Sequence, residues 1–273
     1  MAAAEERFQA GFSHLQNERY SDALVEFQRA ATLDPTDPRP HHGQGNVYHK
    51  LFLVDRATES FRKAVELDPN FLPSKKRLAT LLHDAGEYHE AVQLLEPLAK
   101  QHATDTFLQG ELAINLLGVG EVQRAIALLE KYNEAEGKQA WGYAHLGRAY
   151  SAVGDLDRAE SLYRQALALD PHMIVVRYWL GQVLVATGRE EESRPLLERY
   201  RMLRDLKNQE HQLRMTLLRE QDVVGTLIQL ARVLYMQGKT KDSLATLERA
   251  REMAPDDEQL EQLYRKVRGD LKN

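Results

Sequence analysis

Three histidines have a spacing that could form a metal site. His42 and His49 are seven positions apart, which places them on one face of a helix, and His83 occupies the place of His49 in the next repeat of the chain. Three imidazoles can bind one zinc ion. No carboxylate or thiolate accompanies them, however, and the step from His49 to His83 recurs throughout the sequence. We therefore expect polar surface residues and no metal, with a metal-dependent activity as the less favoured hypothesis.

The chain lacks the motifs of common catalytic chemistries. It contains no cysteine, which excludes disulfides, zinc–thiolate sites and a thiol nucleophile. It also contains no P-loop and no Gly-x-Gly-x-x-Gly, His-Glu-x-x-His or Gly-x-Ser-x-Gly motif. We therefore expect a protein that is not an enzyme and needs no cofactor.

The composition predicts a soluble helical protein. Of the 273 residues, 43% are hydrophobic and 28% are charged, and the net charge of −5 gives no general attraction to nucleic acid. No apolar run approaches the ~20 residues of a membrane-spanning helix. The first residues have no basic start followed by an apolar core, so they are not a signal peptide. We expect a cytoplasmic protein or, if an upstream signal was removed, a periplasmic or secreted one.

The elements that must position any functional residue follow a strict period. Small residues recur every 34 positions in two series, which predicts a stack of repeated helical units. The first series is Ala23, Ala57, Ala91, Ala125, Ala159 and Ser193, and the second is Gly11, Gly45, Ala79, Ala113, Gly147 and Gly181.

Each unit reads as a hairpin of two helices. In the fifth unit one apolar face comprises Tyr143, Leu146, Gly147 and Tyr150, and a second comprises Leu156, Ala159, Leu162, Tyr163 and Ala166. Small side chains at Gly147 and Ala159 allow the two helices to approach closely. Glycines mark the turns between the paired helices at Gly86, Gly120, Gly154, Gly188 and Gly238. Because neither helix can bury its apolar stripe alone, neighbouring hairpins must stack.

These residues resemble the signature of the tetratricopeptide repeat family, which runs W-x2-L-G-x2-Y, A-x3-F and P. The second unit supplies Gly45, Tyr48, Ala57, Phe61, Ala64 and Pro69, and helices end in Leu33-Asp34-Pro35, Leu67-Asp68-Pro69 and Leu169-Asp170-Pro171. The resemblance implies an all-α, right-handed superhelical solenoid of about seven hairpins with a C-terminal capping helix. We expect one domain over 1–273, with repeats at about 4–37, 38–71, 72–105, 106–139, 140–173, 174–205 and 224–257, an inserted helical segment at 206–223 and the cap at 256–270.

Some units depart from the pattern. Units three and four carry Ala103 and Gly137 in the proline position, and Pro97 should kink the second helix of unit three. In unit six, Ser193 could cap a helix that starts there, with Pro195 in its first turn. The seventh unit begins later than the period requires, and the leucines of the added segment predict either a lengthened helix or an additional one.

The family resemblance implies a partner-binding surface on the concave groove lined by the first helices. The groove residues are Arg39, His42, Asn46, His49, Lys50, Lys76 and Arg77 at one end, and Trp141, His145, Arg148, Tyr178, Trp179, Gln182, Arg232 and Tyr235 at the other. We expect a protein or peptide partner with acidic residues facing the cations and apolar residues facing the aromatic rings. For any single residue, a solvated or packing role is the competing interpretation.

The alternative function is self-assembly into a homo-oligomer. Phe8 and Phe12 lie in the terminal repeat, which has no preceding cap. The added segment could project a helix whose Leu206, Leu213 and Leu217 contact a second copy or fold back into the groove.

Overall fold

The computed structural model describes residues 2–137, 139–217 and 223–271, and over these ranges the chain is helical, without strands. It divides into two compact units, Met1–Leu169 (unit 1) and Asp170–Asn273 (unit 2). Unit 1 contains α1 (Ala2–Gln16), α2 (Tyr20–Leu33), α3 (Arg39–Lys50), α4 (Val54–Leu67), α5 (Leu72–Asp84), α6 (Tyr88–Gln101), α7 (Thr106–Gly118), α8 (Val122–Ala135), α9 (Ala140–Ala152) and α10 (Leu156–Leu169). Unit 2 contains α11 (Ile174–Ala186), α12 (Glu190–Leu217), α13 (Val223–Met236), α14 (Thr240–Met253) and α15 (Glu258–Asp270).

Unit 1 is a stack of five hairpins. Each odd-numbered helix packs against the even-numbered helix that follows it and against the even-numbered helix before it. Odd-numbered helices also contact one another, as α1 with α3 and α7 with α9. We call the side formed by α1, α3, α5, α7 and α9 the first-helix face, and the side formed by α2, α4, α6, α8 and α10 the second-helix face.

The small residues lie where the two helices of a hairpin meet, as the sequence predicts. Ala57 and Ala159 are fully buried. A Cβ on Gly45 would lie 2.6 Å from the Phe61 ring, and one on Gly147 would lie 2.8 Å from the Tyr163 ring. Real Cβ atoms do not approach other atoms this closely, so a larger side chain would push the helices apart. The period of the small residues is therefore a packing requirement.

Unit 2 contains the longest described helix. α12 runs without interruption to Leu217, so the added residues lengthen the second helix of the sixth hairpin, and residues 218–222 of the predicted insert lie outside the described ranges. The predicted helix start at Ser193 is wrong, because α12 begins at Glu190 and buries Ser193. Three glutamates in its first turn stabilise the earlier start through the helix dipole. In unit 1, Pro97 lies inside α6, and the helix continues past it to Gln101.

α15 is the predicted capping helix. Leu260, Tyr264 and Val267 pack against buried residues of α13 and α14, including Leu227 and Leu247. The Asp257 side chain caps the helix by accepting a hydrogen bond from the Leu260 amide at 2.9 Å. The opposite side of α15 is charged, so the helix covers the last hairpin and presents a polar surface. None of the described helices combines the length and the apolar character needed to cross a bilayer.

Two hairpin turns store backbone strain. The turn glycines, Gly154 among them, have positive φ angles. Glu18 and Phe52 occupy the same register in the first two hairpins, with φ angles of 56° and 58°. A left-handed conformation costs a residue that carries a Cβ on the order of 1 kcal/mol, a cost that glycine avoids.

We predict that Glu18→Gly raises the free energy of unfolding by about 1 kcal/mol, because it removes this strain at an exposed position. Urea unfolding followed by circular dichroism measures the change. Glu18→Ala is the control and should give no such gain. Gly154→Ala should lower the free energy of unfolding by a similar amount, because it introduces the same strain at a position where an added Cβ meets no atom within 4 Å. Equal stabilities of Glu18→Gly and Glu18→Ala would contradict the strain.

Candidate functional site

The first-helix face of unit 1 carries a row of polar side chains in register. Arg77 on α5, Glu111 on α7 and His145 on α9 occupy the same position in three successive repeats. Arg77 is exposed and the other two are half-buried. The same period that packs the core therefore places three chemically different groups along this face.

His42 is fixed between helices as a neutral imidazole. Its Nδ1 lies 2.9 Å from the hydroxyl of Ser74 on α5, and its ring packs against Phe61 and Phe71. Burial, with a smaller contribution from the Arg77 guanidinium, lowers the pKa of His42 to about 4. At neutral pH this side chain is therefore an uncharged part of the surface.

The α5–α7 junction contains polar contacts that the sequence did not predict. Thr80 donates a hydrogen bond to the Glu111 carboxylate at 3.3 Å, and Asn115, which is fully buried, accepts one from His83 Nδ1 at 3.1 Å. Burial raises the pKa of Glu111, and the negative charge of Asp84 adds to the effect although the Thr80 hydrogen bond opposes it. Glu111 lies one repeat after Arg77, so the repeat register could have identified it.

The predicted basic end contains fewer free cations than its composition suggests. Arg39 pairs with Asp37 at 2.7 Å and with Glu5 at 2.9 Å. Lys76 pairs with Asp105 at 2.6 Å. These carboxylates neutralise the charges of Arg39 and Lys76, two of the residues predicted to contact a partner.

Lys50 and Arg77 retain their charges for a partner. Both are exposed, and neither forms an ion pair with any residue that the structure describes. Burial, then the charge of Arg77, lowers the pKa of His49, and Lys50 adds to the effect while Asp84 opposes it. Both cations therefore lie near His49. Asn46 lies half-buried on the same helix. The free positive charge is therefore concentrated where α3 and α5 are adjacent.

The geometry gives no support to the less favoured hypothesis of a three-histidine metal site. His42 and His83 have different partners, Ser74 and Asn115, on different helices. Within residues 2–137, 139–217 and 223–271, no three His, Cys, Asp or Glu side chains converge in a way that could hold a metal ion. The spacing of the histidines reflects the repeat.

Trp141 and His145 on α9 mainly pack between hairpins. The Trp141 ring centroid lies 4.8 Å from that of Tyr132 on α8 and 4.3 Å from that of His145. Trp141 also fills the space beside Gly110 on α7. Burial, then the charge of Arg148, lowers the pKa of His145 to about 3. Both residues are half-buried.

The remaining predicted contacts belong to unit 2. Tyr178 stacks on Tyr200 of α12, with ring centroids 4.9 Å apart, and the half-buried Trp179 is its neighbour in sequence. Gln182 and Arg232 are exposed. The Tyr235 hydroxyl donates a hydrogen bond to the Asp270 carboxylate of α15, so this tyrosine also holds the capping helix.

Most of the residues predicted for self-assembly pack against other residues of the same chain. Leu206 is buried with Leu203 and Val233, with Leu213 packed against them. Leu217 packs against the α13–α15 cluster. Phe8 packs on Phe27, and Arg39 lies 4.9 Å from its ring centroid. Of the predicted contacts, Phe12 is the one left substantially exposed, at 46%.

Four sequence-family models match the chain, each describing a tetratricopeptide or TPR repeat. They cover residues 152–206, 12–51 and 38–71, and a fourth covers 77–97 together with 224–249. Together these segments include most of the hairpins described above.

Curated relatives match parts of much longer proteins. Superkiller protein 3 of Saccharomyces cerevisiae is 32% identical over 99 residues, which is 36% of this chain and 7% of that protein. Cellulose synthase 1 operon protein C of Komagataeibacter xylinus is 26% identical over 196 residues, which is 70% of this chain and 13% of that protein. The chain thus spans a small fraction of these relatives.

Solved structures support the fold. A tetratricopeptide repeat protein from Parabacteroides merdae superposes with a TM-score of 0.63 at 11% identity, covering 98% of this chain and 99% of the other. The type IV pilus biogenesis factor PilW superposes with a TM-score of 0.59 at 16% identity, covering 82% and 98%. At these identities the likeness concerns architecture alone.

We predict that Glu111→Gln raises the free energy of unfolding at pH 7 by roughly 1 kcal/mol, because it removes a half-buried charge that has no cationic partner among the described residues. Since the raised pKa means that the folded state holds its proton more tightly, the gain should shrink as the pH falls toward 4. Urea unfolding at both pH values measures it. The exposed Glu134→Gln is the control, and an unchanged or lower stability of Glu111→Gln at pH 7 would refute the assignment.

We predict that His42→Gln flattens the pH dependence of stability. The unfolded imidazole titrates near 6.5 and the folded one near 4, so the unfolded chain binds more protons between these values. The free energy of unfolding of the wild type should therefore fall by roughly 2 kcal/mol more than that of the variant between pH 7 and pH 4. Unfolding curves at several pH values test this against the exposed His89→Gln, and parallel profiles for the wild type and His42→Gln would be inconsistent with a buried neutral imidazole.

Proposed function

Because the chain belongs to the tetratricopeptide repeat family, we propose that it is a non-catalytic scaffold that binds a segment of a protein partner on the first-helix face. The observation that carries the proposal is the free positive charge of Lys50 and Arg77 in the middle of this face. Helical repeat stacks present such extended surfaces to their partners, while the buried residues hold the stack together.

The partner contributes acidic side chains at this point. Lys50 and Arg77 lie on adjacent first helices, and both are exposed to solvent. A carboxylate that reaches both cations would be stabilised more than in an isolated surface ion pair.

The surface around these cations is held rigid by contacts between helices. His42 with Ser74 joins α3 to α5, and Lys76 with Asp105 joins α5 to α7. A surface that is already ordered loses little conformational entropy when a partner binds. These contacts therefore favour binding even though they consume groups that could otherwise face the partner.

Apolar contact is available beside the charged region. Phe107, in the first turn of α7, is 45% exposed, and Lys76 Nζ lies 5.1 Å from its ring centroid. Trp141 holds the position of Phe107 in the next repeat, so both rings belong to one register of the face. An apolar side chain of the partner packs here, with Arg148 beyond it on α9. Unit 2 carries a separate set of proposed partner contacts, Tyr178, Trp179, Gln182, Arg232 and Tyr235.

We predict that reversing the two free cations weakens partner binding while leaving the fold intact. Peptides selected on the full chain from a random display library should be enriched in acidic and apolar residues. Their affinity, measured by fluorescence anisotropy, should fall about tenfold or more in Lys50→Glu/Arg77→Glu.

The control is Lys241→Glu/Arg249→Glu, which makes the same change of charge at two exposed cations of α14 that also lack an ion pair among the described residues. It should bind as the wild type does. Equal affinity of the Lys50→Glu/Arg77→Glu variant, or an equal loss in the control, would overturn the proposed site.

A further inference from the structure

An apolar groove of about 1100 Å³ lies on the other side of unit 1, between α6 and α8. Its walls are formed by Pro97 and Ala103 from the α6 side and by Ala127 and Ala135 from α8. α7 provides the floor through Leu112. The groove is thus built entirely by residues of unit 1 and opens on the second-helix face.

The groove coincides with the departures from the repeat pattern. Three other second helices of unit 1 end in Leu-Asp-Pro, whereas the corresponding residues here are Gln101-His102-Ala103 and Ala135-Glu136-Gly137. Ala135 thus occupies the position that Leu33, Leu67 and Leu169 hold elsewhere. Two of these replacements line the groove: Ala103 is smaller than the proline, and Ala135 is smaller than the leucine, that hold these positions in those three repeats.

Free positive charge lies on both rims of this groove. Lys100 on α6 and Lys131 on α8 are exposed, and neither forms an ion pair with a residue that the structure describes. Glu96, the one acidic side chain among the lining residues, is already paired with Arg124 across the groove. The rims are therefore cationic and the walls and floor largely apolar.

This combination fits a helix better than an extended segment. A buried extended strand must find partners for its backbone N–H and C=O groups. The carbonyls of Ala99 and Ala103 that end α6 already accept hydrogen bonds from Gln109 Nε2, at 2.8 Å and 3.5 Å. A helix satisfies its own backbone and can pack as a third helix between two neighbours.

We propose that the groove between α6 and α8 is a second docking site, which binds an amphipathic helix of a protein partner. The apolar stripe of this helix packs on Ala127, Ala135 and Leu112, and acidic residues on its two flanks pair with Lys100 and Lys131. The site lies on the opposite side from the proposed first-helix site and does not depend on it. One chain could therefore bind two partners together.

The test uses the full chain and two fluorescein-labelled synthetic helical peptides. Both carry leucine at i, i+3, i+4 and i+7, one with glutamate on its flanks and the other with lysine. Fluorescence anisotropy should show saturable binding of the glutamate peptide and at least about tenfold weaker binding of the lysine peptide.

Two variants locate the binding. Lys100→Glu/Lys131→Glu should weaken binding of the glutamate peptide about tenfold or more. Ala127→Gln should also weaken it, because a larger neutral side chain fills the groove, while circular dichroism confirms unchanged folding. Lys241→Glu/Arg249→Glu, which reverses two exposed cations of α14 outside both proposed sites, is the matched control and should leave this binding unchanged. The proposal is overturned if the glutamate peptide does not bind saturably, if both folded groove variants bind it normally, or if the control alone loses binding.

Discussion

The close approach of two antiparallel helices is the constraint on which the rest of this structure depends. At Gly45 and Gly147 the aromatic ring of the partner helix lies where a Cβ would be. Gly11 makes the same contact with Phe27, and alanines take this position in the third and fourth repeats, so a small residue recurs wherever the two helices of a hairpin meet. Each hairpin surface is free to vary because its stability comes from this buried contact.

The two faces of unit 1 show how that freedom is used. On the first-helix face, Arg39 and Lys76 are consumed in ion pairs, while Lys50 and Arg77 are left for a partner. On the second-helix face, Ala103 and Ala135 replace a larger proline and leucine beside the groove between α6 and α8. The cations Lys50 and Arg77, which lack an ion pair among the described residues, and the groove between α6 and α8 all lie in the middle hairpins of unit 1.

The sequence predicts the elements because their causes are local. Turn glycines such as Gly154 are required by a positive φ, and the apolar stripe of Leu260, Tyr264 and Val267 is enough to identify the cap. The site was less predictable because its chemistry depends on contacts between hairpins. Neither the pairing of Lys76 with Asp105 nor the hydrogen bond of His83 with Asn115 leaves a local signal, although the register alone could have identified Glu111. Ser193 shortly before Pro195 resembles a helix cap, but the three glutamates that precede it open the helix.

The measurement that tests the central claim most directly is hydroxyl-radical footprinting of the full chain with and without an acidic peptide selected on it. The account predicts reduced oxidation of His49 and Phe107 on the first-helix face when the peptide is bound, with His89 on α6 unchanged. Protection of His89 while His49 and Phe107 remain fully reactive would contradict it.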